Sequence, residues 1–283
     1  MSGTLKIDHL SQSYVDPYSK ETMTAVGDVD FSIPEGQFVS LIGPSGCGKT
    51  TVLNIVAGFI QPTGGQVVVD DRTIESPGPD RGVVFQDFAL FPWMTVEANI
   101  AFGLKMRGVP KSERRTRARQ MAELVGLGGF EQKFPHELSG GMRQRAGVAR
   151  VLATEPSIML MDEPFASIDA QTRRVLQQEV LRIWSTQKPT VLFVTHDVEE
   201  AIFMSDRVVV LGNRPSTVQA DITVDLPRPR TWKDVQSAPE FLRLRGQLLA
   251  MLGVEDQDQV EQAELDERSA EAEREGASGR ELP

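Results

Sequence analysis

The chain has 283 residues, with 30 Lys and Arg against 40 Asp and Glu, a net charge of −10, and one cysteine. This length accommodates one large domain, or a domain with a subdomain, around a sizeable core. The acidic excess is local: residues 255–283 hold 11 acidic and 3 basic residues, a charge of −8, so the remainder carries only −2 and does not make a basic nucleic-acid binder.

Residues 5–14 alternate loosely and read as a strand; 15–23 are polar with Pro17 and read as a turn or hairpin loop. A strand is expected over 29–33, and Pro34-Glu35-Gly36 turns the chain into a short apolar run at Phe38–Ile42, the texture of a buried parallel strand. Gly43-Pro44-Ser45-Gly46-Cys47-Gly48-Lys49-Thr50 follows, with the spacing G-x-x-x-x-G-K-[ST] of a phosphate-binding loop. The glycines let backbone N–H groups face a phosphate, and the helix expected over 51–57 adds the positive end of its dipole. Lys49 is placed to reach the β- and γ-phosphates, Thr50 to offer its hydroxyl to Mg²⁺, and Thr51 to continue the cradle. Cys47, the lone cysteine, lies inside this loop, which suits a reducing cytosol.

Further strands are expected at 66–69 and 82–85, the second ending at Gln86. From 95 to 153 the texture is helical, broken at 108–110 and 126–129. Its basic stretch, 111–119, reads first as a solvated helix face and second as a nucleic-acid contact. Ser139 is a good helix N-cap, and Gly140 and Gly141 behind it leave N–H groups open to a second anion. Residues 158–161 form an apolar strand ending in Asp162 and Glu163, which puts carboxylates at the carboxyl edge of the sheet, where open α/β folds bind ligands. Asp162 would hold Mg²⁺ directly or through water, and Glu163 could orient or deprotonate an attacking water. A helix over 171–184, strands at 190–194 and 207–211, and an amphipathic helix at 239–252 complete the pattern. Strands alternating with helices around a phosphate loop imply a mostly parallel, doubly wound sheet.

Leu138-Ser139-Gly140-Gly141 resembles the signature motif of ABC transporter ATP-binding subunits, and the resemblance runs in order over about residues 5–215. Residues 43–50 match that family's Walker A loop, Gln86 its Q-loop glutamine, Asp162 and Glu163 its Walker B acids, Ala166-Ser167-Ile168-Asp169 its D-loop and His196 its switch histidine. The resemblance implies a P-loop NTPase core with a mostly parallel sheet, an antiparallel β portion on the N-terminal side and an inserted helical subdomain. The implied division is 1–87 and 156–230 for the core, 88–155 for the subdomain, 231–254 for a C-terminal helix and 255–283 for an acidic, disordered tail. It further implies ATP and Mg²⁺ as ligands, with Glu163, His196 and Gln86 catalytic and Thr50, Gln86 and Asp162 around the metal. ATP would lie between the Walker A loop of one copy and Ser139, Gly140 and Gly141 of a second, head-to-tail copy, with Asp169 reaching across. An aromatic ring near the first strand would stack on adenine; Tyr14 and Tyr18 both qualify.

No run of about 18 apolar residues and no secretory leader occur, so the expected channel is a separate integral-membrane subunit. The expected location is the cytoplasmic face of the cell membrane, with a solute-binding protein as an indirect partner and no nucleic acid. Residues 88–96, with Phe88, Leu90, Phe91, Pro92 and Trp93, resemble a segment of the nitrate, sulfonate and taurine import group, as does Pro-Arg-Pro-Arg at 227–230. These aromatics are either subdomain core or a groove for a helix of the channel. A soluble ABC-type ATPase acting on ribosomes or DNA is the alternative. Such proteins usually carry two ATPase halves or a long coiled coil, whereas each motif occurs once here.

Overall fold

The computed structural model describes residues 3–85, 89–166 and 168–253; Gln86, Phe88, Ser167 and the acidic tail, on which several expectations fall, lie outside them. The described strands are β1 (Leu5–Val15), β2 (Thr22–Ile33), β3 (Phe38–Ile42), β4 (Gly64–Val69), β5 (Arg72–Thr73), β6 (Arg81–Val84), β7 (Ile158–Asp162), β8 (Thr190–Val194), β9 (Arg207–Leu211) and β10 (Ser216–Thr223). They join into one sheet in the order β5-β4-β1-β2-β10-β9-β3-β8-β7-β6.

The sheet has two halves of different character. From β9 to β6 all neighbours are parallel, with β3 flanked by β9 and β8. All five residues of β3, and all five of β8, are buried, as strands covered on both faces must be. At the other end, β1 pairs antiparallel with β2 and β4, and β4 with β5, forming a wing. β10 makes the seam: it runs antiparallel to β9 and meets β2 in parallel through Ser216–Val26 and Thr217–Asp28.

Alternate residues of β3 feed two cores. Val39 and Leu41 face the wing and α1 (Lys49–Ala57), where Val52, Leu53 and Val56 are buried. Phe38 and Ile42 face the helices on the opposite side. Those are α2 (Val96–Ile100), α3 (Phe102–Met106), α4 (Lys111–Leu124), α5 (Gly140–Leu152), α6 (Ala170–Gln187), α7 (Val198–Met204), α8 (Trp232–Gln236) and α9 (Pro239–Leu252). The four helices of the insert share this core, with Ile100, Ala118, Ala122 and Val148 buried in it. α4 buries only Ala118, Met121 and Ala122, so its basic residues form a solvated face, as the first reading expects.

Several local readings differ from the structure. β2 starts at Thr22, seven residues before the strand expected at 29, because cross-strand pairing with Ser13, Tyr14 and Val15 supports polar residues the pattern gave to a loop. α1 starts at Lys49 rather than at 51. The Pro-Arg-Pro-Arg stretch has a structural task. Arg228 lies over the Trp184 ring at 4.5 Å and donates to Asp206 at 2.9 Å. Arg230, buried, donates to the carbonyls of Ile202, Phe203 and Ser205 at 2.8–3.1 Å and so closes the C-terminal end of α7.

Candidate active site

The loop from Gly43 to Thr50 joins the carboxyl end of β3 to the first turn of α1. Gly46 and Gly48 have φ of +77° and +105°, which an L side chain rarely tolerates. At Gly43 the limit is space: a Cβ would come 2.8 Å from both Cys47 Sγ and Leu211 O. Lys49 Nζ donates to Gly43 O at 2.8 Å and Pro44 O at 3.1 Å, holding the ammonium across the loop. Cys47 turns inward and is buried, and its N–H donates to Pro44 O at 3.2 Å. Ser45, Gly46, Gly48, Lys49, Thr50 and Thr51 line an open cavity of about 480 Å³; Gly43, Pro44 and Cys47 shape the loop without lining it.

The acids close the other side. Thr50 Oγ1 donates to Asp162 Oδ1 at 3.2 Å. Burial pushes the Asp162 carboxyl above its usual range. Glu163 leaves β7 at a positive φ of 42°, while its N–H donates to Val194 O at 2.9 Å, tying the turn to β8. Its Oε2 lies 3.0 Å from His196 Nδ1, and both side chains line the cavity opposite Lys49. A hydroxyl and a carboxylate side by side are hard oxygen donors, a set that fits Mg²⁺. Lysine, hydroxyl, Glu163 and imidazole therefore line one cavity, with Asp162 reached through Thr50, at the ends of β3, β7 and β8, three neighbouring parallel strands.

The second anion-binding stretch lies elsewhere. Ser139 caps α5, its hydroxyl accepting from Met142 N at 3.3 Å. Nothing lies within 4 Å of a Cβ at Gly140, so this helix start presents open backbone. Asp169 caps α6 beside it, accepting from Thr172 N at 3.0 Å, and that backbone N–H holds its carboxyl below the usual range. None of Ser139, Gly140, Gly141 and Asp169 lines the cavity at the phosphate loop.

Tyr14 and Tyr18 also lie off the cavity, but they differ. Tyr18 is 94% exposed in the turn after β1. Tyr14 pairs with Met23 across β1–β2, and Met23 Sδ is 3.0 Å from Arg214 Nη1. Arg214 lines the cavity and donates from Nε to Gly46 O at 3.1 Å. It stands in the β9–β10 turn, and sequence reasoning missed it because the 212–215 turn carries no motif and β10 was not expected.

This fold and this loop define a P-loop ATPase. A family model described as ABC transporter matches residues 26–166. The chain is 46% identical over 252 residues to the ABC transporter ATP-binding protein MJ0412 of Methanocaldococcus jannaschii, covering 89% of this chain and 92% of that one. It is 45% identical over 252 residues to the taurine import ATP-binding protein TauB of Rhizobium johnstonii, covering 88% and 96%. With the nitrate import ATP-binding protein NrtD of Synechocystis sp. it shares 40% over 263 residues, covering 91% and 98%. Among solved structures, the dimeric ATP-binding cassette MJ0796 in a post-hydrolysis state with ADP and Pi aligns at a TM-score of 0.68 and 30% identity, over 79% of this chain and 100% of that one. The chain belongs to the ABC transporter family as an ATP-binding, ATP-hydrolysing protein.

Proposed function

We propose that this chain is the ATPase subunit of an importer for a small anion such as a sulfonate, taurine or nitrate. The observation that carries the ATPase assignment is the convergence of Lys49, Thr50, Glu163 and His196 on one cavity, with Asp162 bonded to Thr50 at its edge. The cargo class rests on the 40–45% identity to relatives named for taurine and nitrate import.

In this reading the N–H groups of 45–51 and the Lys49 ammonium bind the phosphates. Thr50 and Asp162 would hold Mg²⁺, which supplies neutralising charge to the phosphate oxygens when bound. Glu163 accepts the proton of the attacking water, and His196 fixes the Glu163 carboxylate through Nδ1 while facing the γ-phosphate. Gln86 is assigned to the metal and water from the family motif alone. Tyr14 is favoured over Tyr18 as the adenine platform, because Met23 and Arg214 link its strand pair to the phosphate loop.

Ser139, Gly140 and Gly141 would complete the site of a second copy, and its equivalents this one, so ATP joins two chains head to tail. Asp169, at the start of α6 next to that surface, would face the partner. No described helix is long and apolar enough to cross a membrane, so the channel would be a separate subunit with this chain on its cytoplasmic face. A pull-down from gently solubilised membranes tests this. Recovery of a multi-span channel with a solute-binding protein is expected; recovery of ribosomes or DNA-repair factors without membrane protein would replace the transport reading.

A further inference from the structure

Behind the catalytic edge, four buried polar side chains form a chain of hydrogen bonds. Trp232 Nε1 at the start of α8 donates to Gln177 Oε1 in α6 at 3.0 Å. Gln177 Nε2 donates to Glu200 Oε1 in α7 at 2.7 Å. Glu200 Oε2 accepts from the Thr195 hydroxyl, and Thr195 Oγ1 in turn accepts from the N–H of Asp197 at 3.1 Å. Thr195 and Asp197 are the two neighbours of His196, and the Thr195 N–H reaches Leu41 O of β3. Thr195 and Gln177 are each 1% exposed, Glu200 5% and Trp232 8%. The Trp232 ring also stacks on Phe203 of α7 at 4.1 Å and 7°.

The direction of the first two bonds is fixed from the tryptophan end. An indole N–H can only donate, so Gln177 must turn its carbonyl to Trp232 and its amide N–H to Glu200. Ionised Glu200 accepts from both Gln177 and the Thr195 hydroxyl, whereas protonation would turn the Thr195 bond round, with Thr195 Oγ1 accepting. The charged groups facing it are Asp197 and Arg173, with Glu163 and His196 across a small cavity of about 30 Å³. On the outer face of α7, Glu199 pairs with Arg245 of α9 at 3.2 Å. Burial, reinforced by the charge of Asp197, pushes the Glu200 carboxyl up to about 7, against the pull of Thr195, Gln177 and Arg173.

We propose that Glu200 is a positioning residue for His196, and that the path Thr195–Glu200–Gln177–Trp232 makes ATP hydrolysis depend on how the C-terminal helices α8 and α9 are docked. The inference rests on the proposed role of His196 and goes beyond it. The C-terminal segment lies outside the catalytic cavity, yet its tryptophan fixes the Gln177 amide that meets Glu200, whose other oxygen bonds the residue before the imidazole.

The test uses the full-length chain, with MgATP hydrolysis followed from pH 5.5 to 9. Glu200→Gln turns an amide N–H toward Thr195 and reverses that bond, removing the carboxylate acceptor. Trp232→Phe keeps the ring stack and removes the donor. Both variants should lower kcat about tenfold with KM for ATP little changed, and Glu200→Gln should abolish a fall in kcat below about pH 7 that the unaltered chain and Trp232→Phe retain. His196→Ala is measured alongside. Loss of turnover in His196→Ala, with unaltered kcat in Trp232→Phe, would overturn the inference and leave the catalytic reading intact. Full turnover in His196→Ala would overturn both. Should Glu200→Gln fail to fold, the kcat of Trp232→Phe decides alone.

Discussion

His196 Nδ1 sits 3.0 Å from Glu163 Oε2, joining a residue just past β8 to one just past β7. The Glu163 backbone is meanwhile held to Val194 O, so acid and imidazole are referenced to the same strand end. Replacing Glu163 by Gln keeps the shape and removes the proton acceptor. Glu163→Gln should lose at least about a hundredfold in kcat while binding ATP nearly as before, and should accumulate as an ATP-bound dimer. Single-turnover hydrolysis with parallel nucleotide-binding measurements checks this; near-normal ATPase activity in that variant would sink the assignment.

Thr50 and Asp162 meet at 3.2 Å. Thr50→Val removes the hydroxyl and leaves the volume. The Mg²⁺ concentration giving half-maximal hydrolysis should rise about tenfold or more, with metal-free nucleotide binding less affected. Because burial raises the Asp162 carboxyl, metal-dependent binding should weaken as pH falls sooner than an exposed aspartate would allow.

Trp93 is 70% exposed, whereas Phe91 packs on Phe102 with ring centroids 4.6 Å apart and exchanges two hydrogen bonds with Asn99 through its backbone. The aromatic segment thus divides: Phe91 belongs to the subdomain, and Trp93 leans on it at 5.6 Å with most of its ring exposed. Trp93→Ala should lower co-purification with the channel subunit and leave ATP affinity and thermal stability unchanged. Equal recovery of the channel would rule out docking through this ring.

Arg230 closes α7 with bonds to three carbonyls of its last turn and one more to Leu226 O. Arg230→Ala leaves these buried acceptors without a donor. The expected loss is on the order of 2–4 kcal/mol, or about 5–10 °C in Tm by calorimetry. Arg230→Lys should not restore it, since one ammonium cannot copy the planar fork.

Glu200 also sets a pH dependence of stability. Its folded-state carboxyl titrates at about 7, above the ordinary 4.5, so the folded chain holds this proton where the unfolded chain has released it. Its contribution is therefore full below about pH 4.5 and is lost as pH rises toward 7, by on the order of 3 kcal/mol. Glu200→Gln should flatten this slope in urea titrations at pH 5, 6, 7 and 8, and should be the more stable protein at pH 8 even while it hydrolyses ATP more slowly. A slope unchanged in the variant would assign the pH dependence to another group.

The parallel half of the sheet was legible because burial on both faces writes itself as unbroken apolar runs, as in β3 and β8. The phosphate loop was legible because its glycines answer to geometry, which Gly43, Gly46 and Gly48 bear out. β10 was not: Ser216–Thr223 alternates in burial with few large apolar residues, and its strand character comes from its neighbours β9 and β2. The seven-residue α7 hid for a related reason: Asp197 caps its start locally, but its C-terminal end is closed by a distant group, Arg230. Arg214 reaches the cavity only once β9 and β10 fold back as a hairpin. The acid pair was legible as the end of an apolar strand and His196 through family resemblance; neither reveals that Nδ1 and Oε2 meet.

The seam where β10 meets β2 through two residue pairs divides the molecule's labour. Lys49, Thr50, Asp162, Glu163 and His196 belong to the parallel side, and Tyr14 belongs to the wing. The wing is thus a region where inheritance can tinker cheaply. With Tyr14 in its proposed role, substitutions there would tune how tightly nucleotide is held, while the same wear on the parallel side would silence hydrolysis.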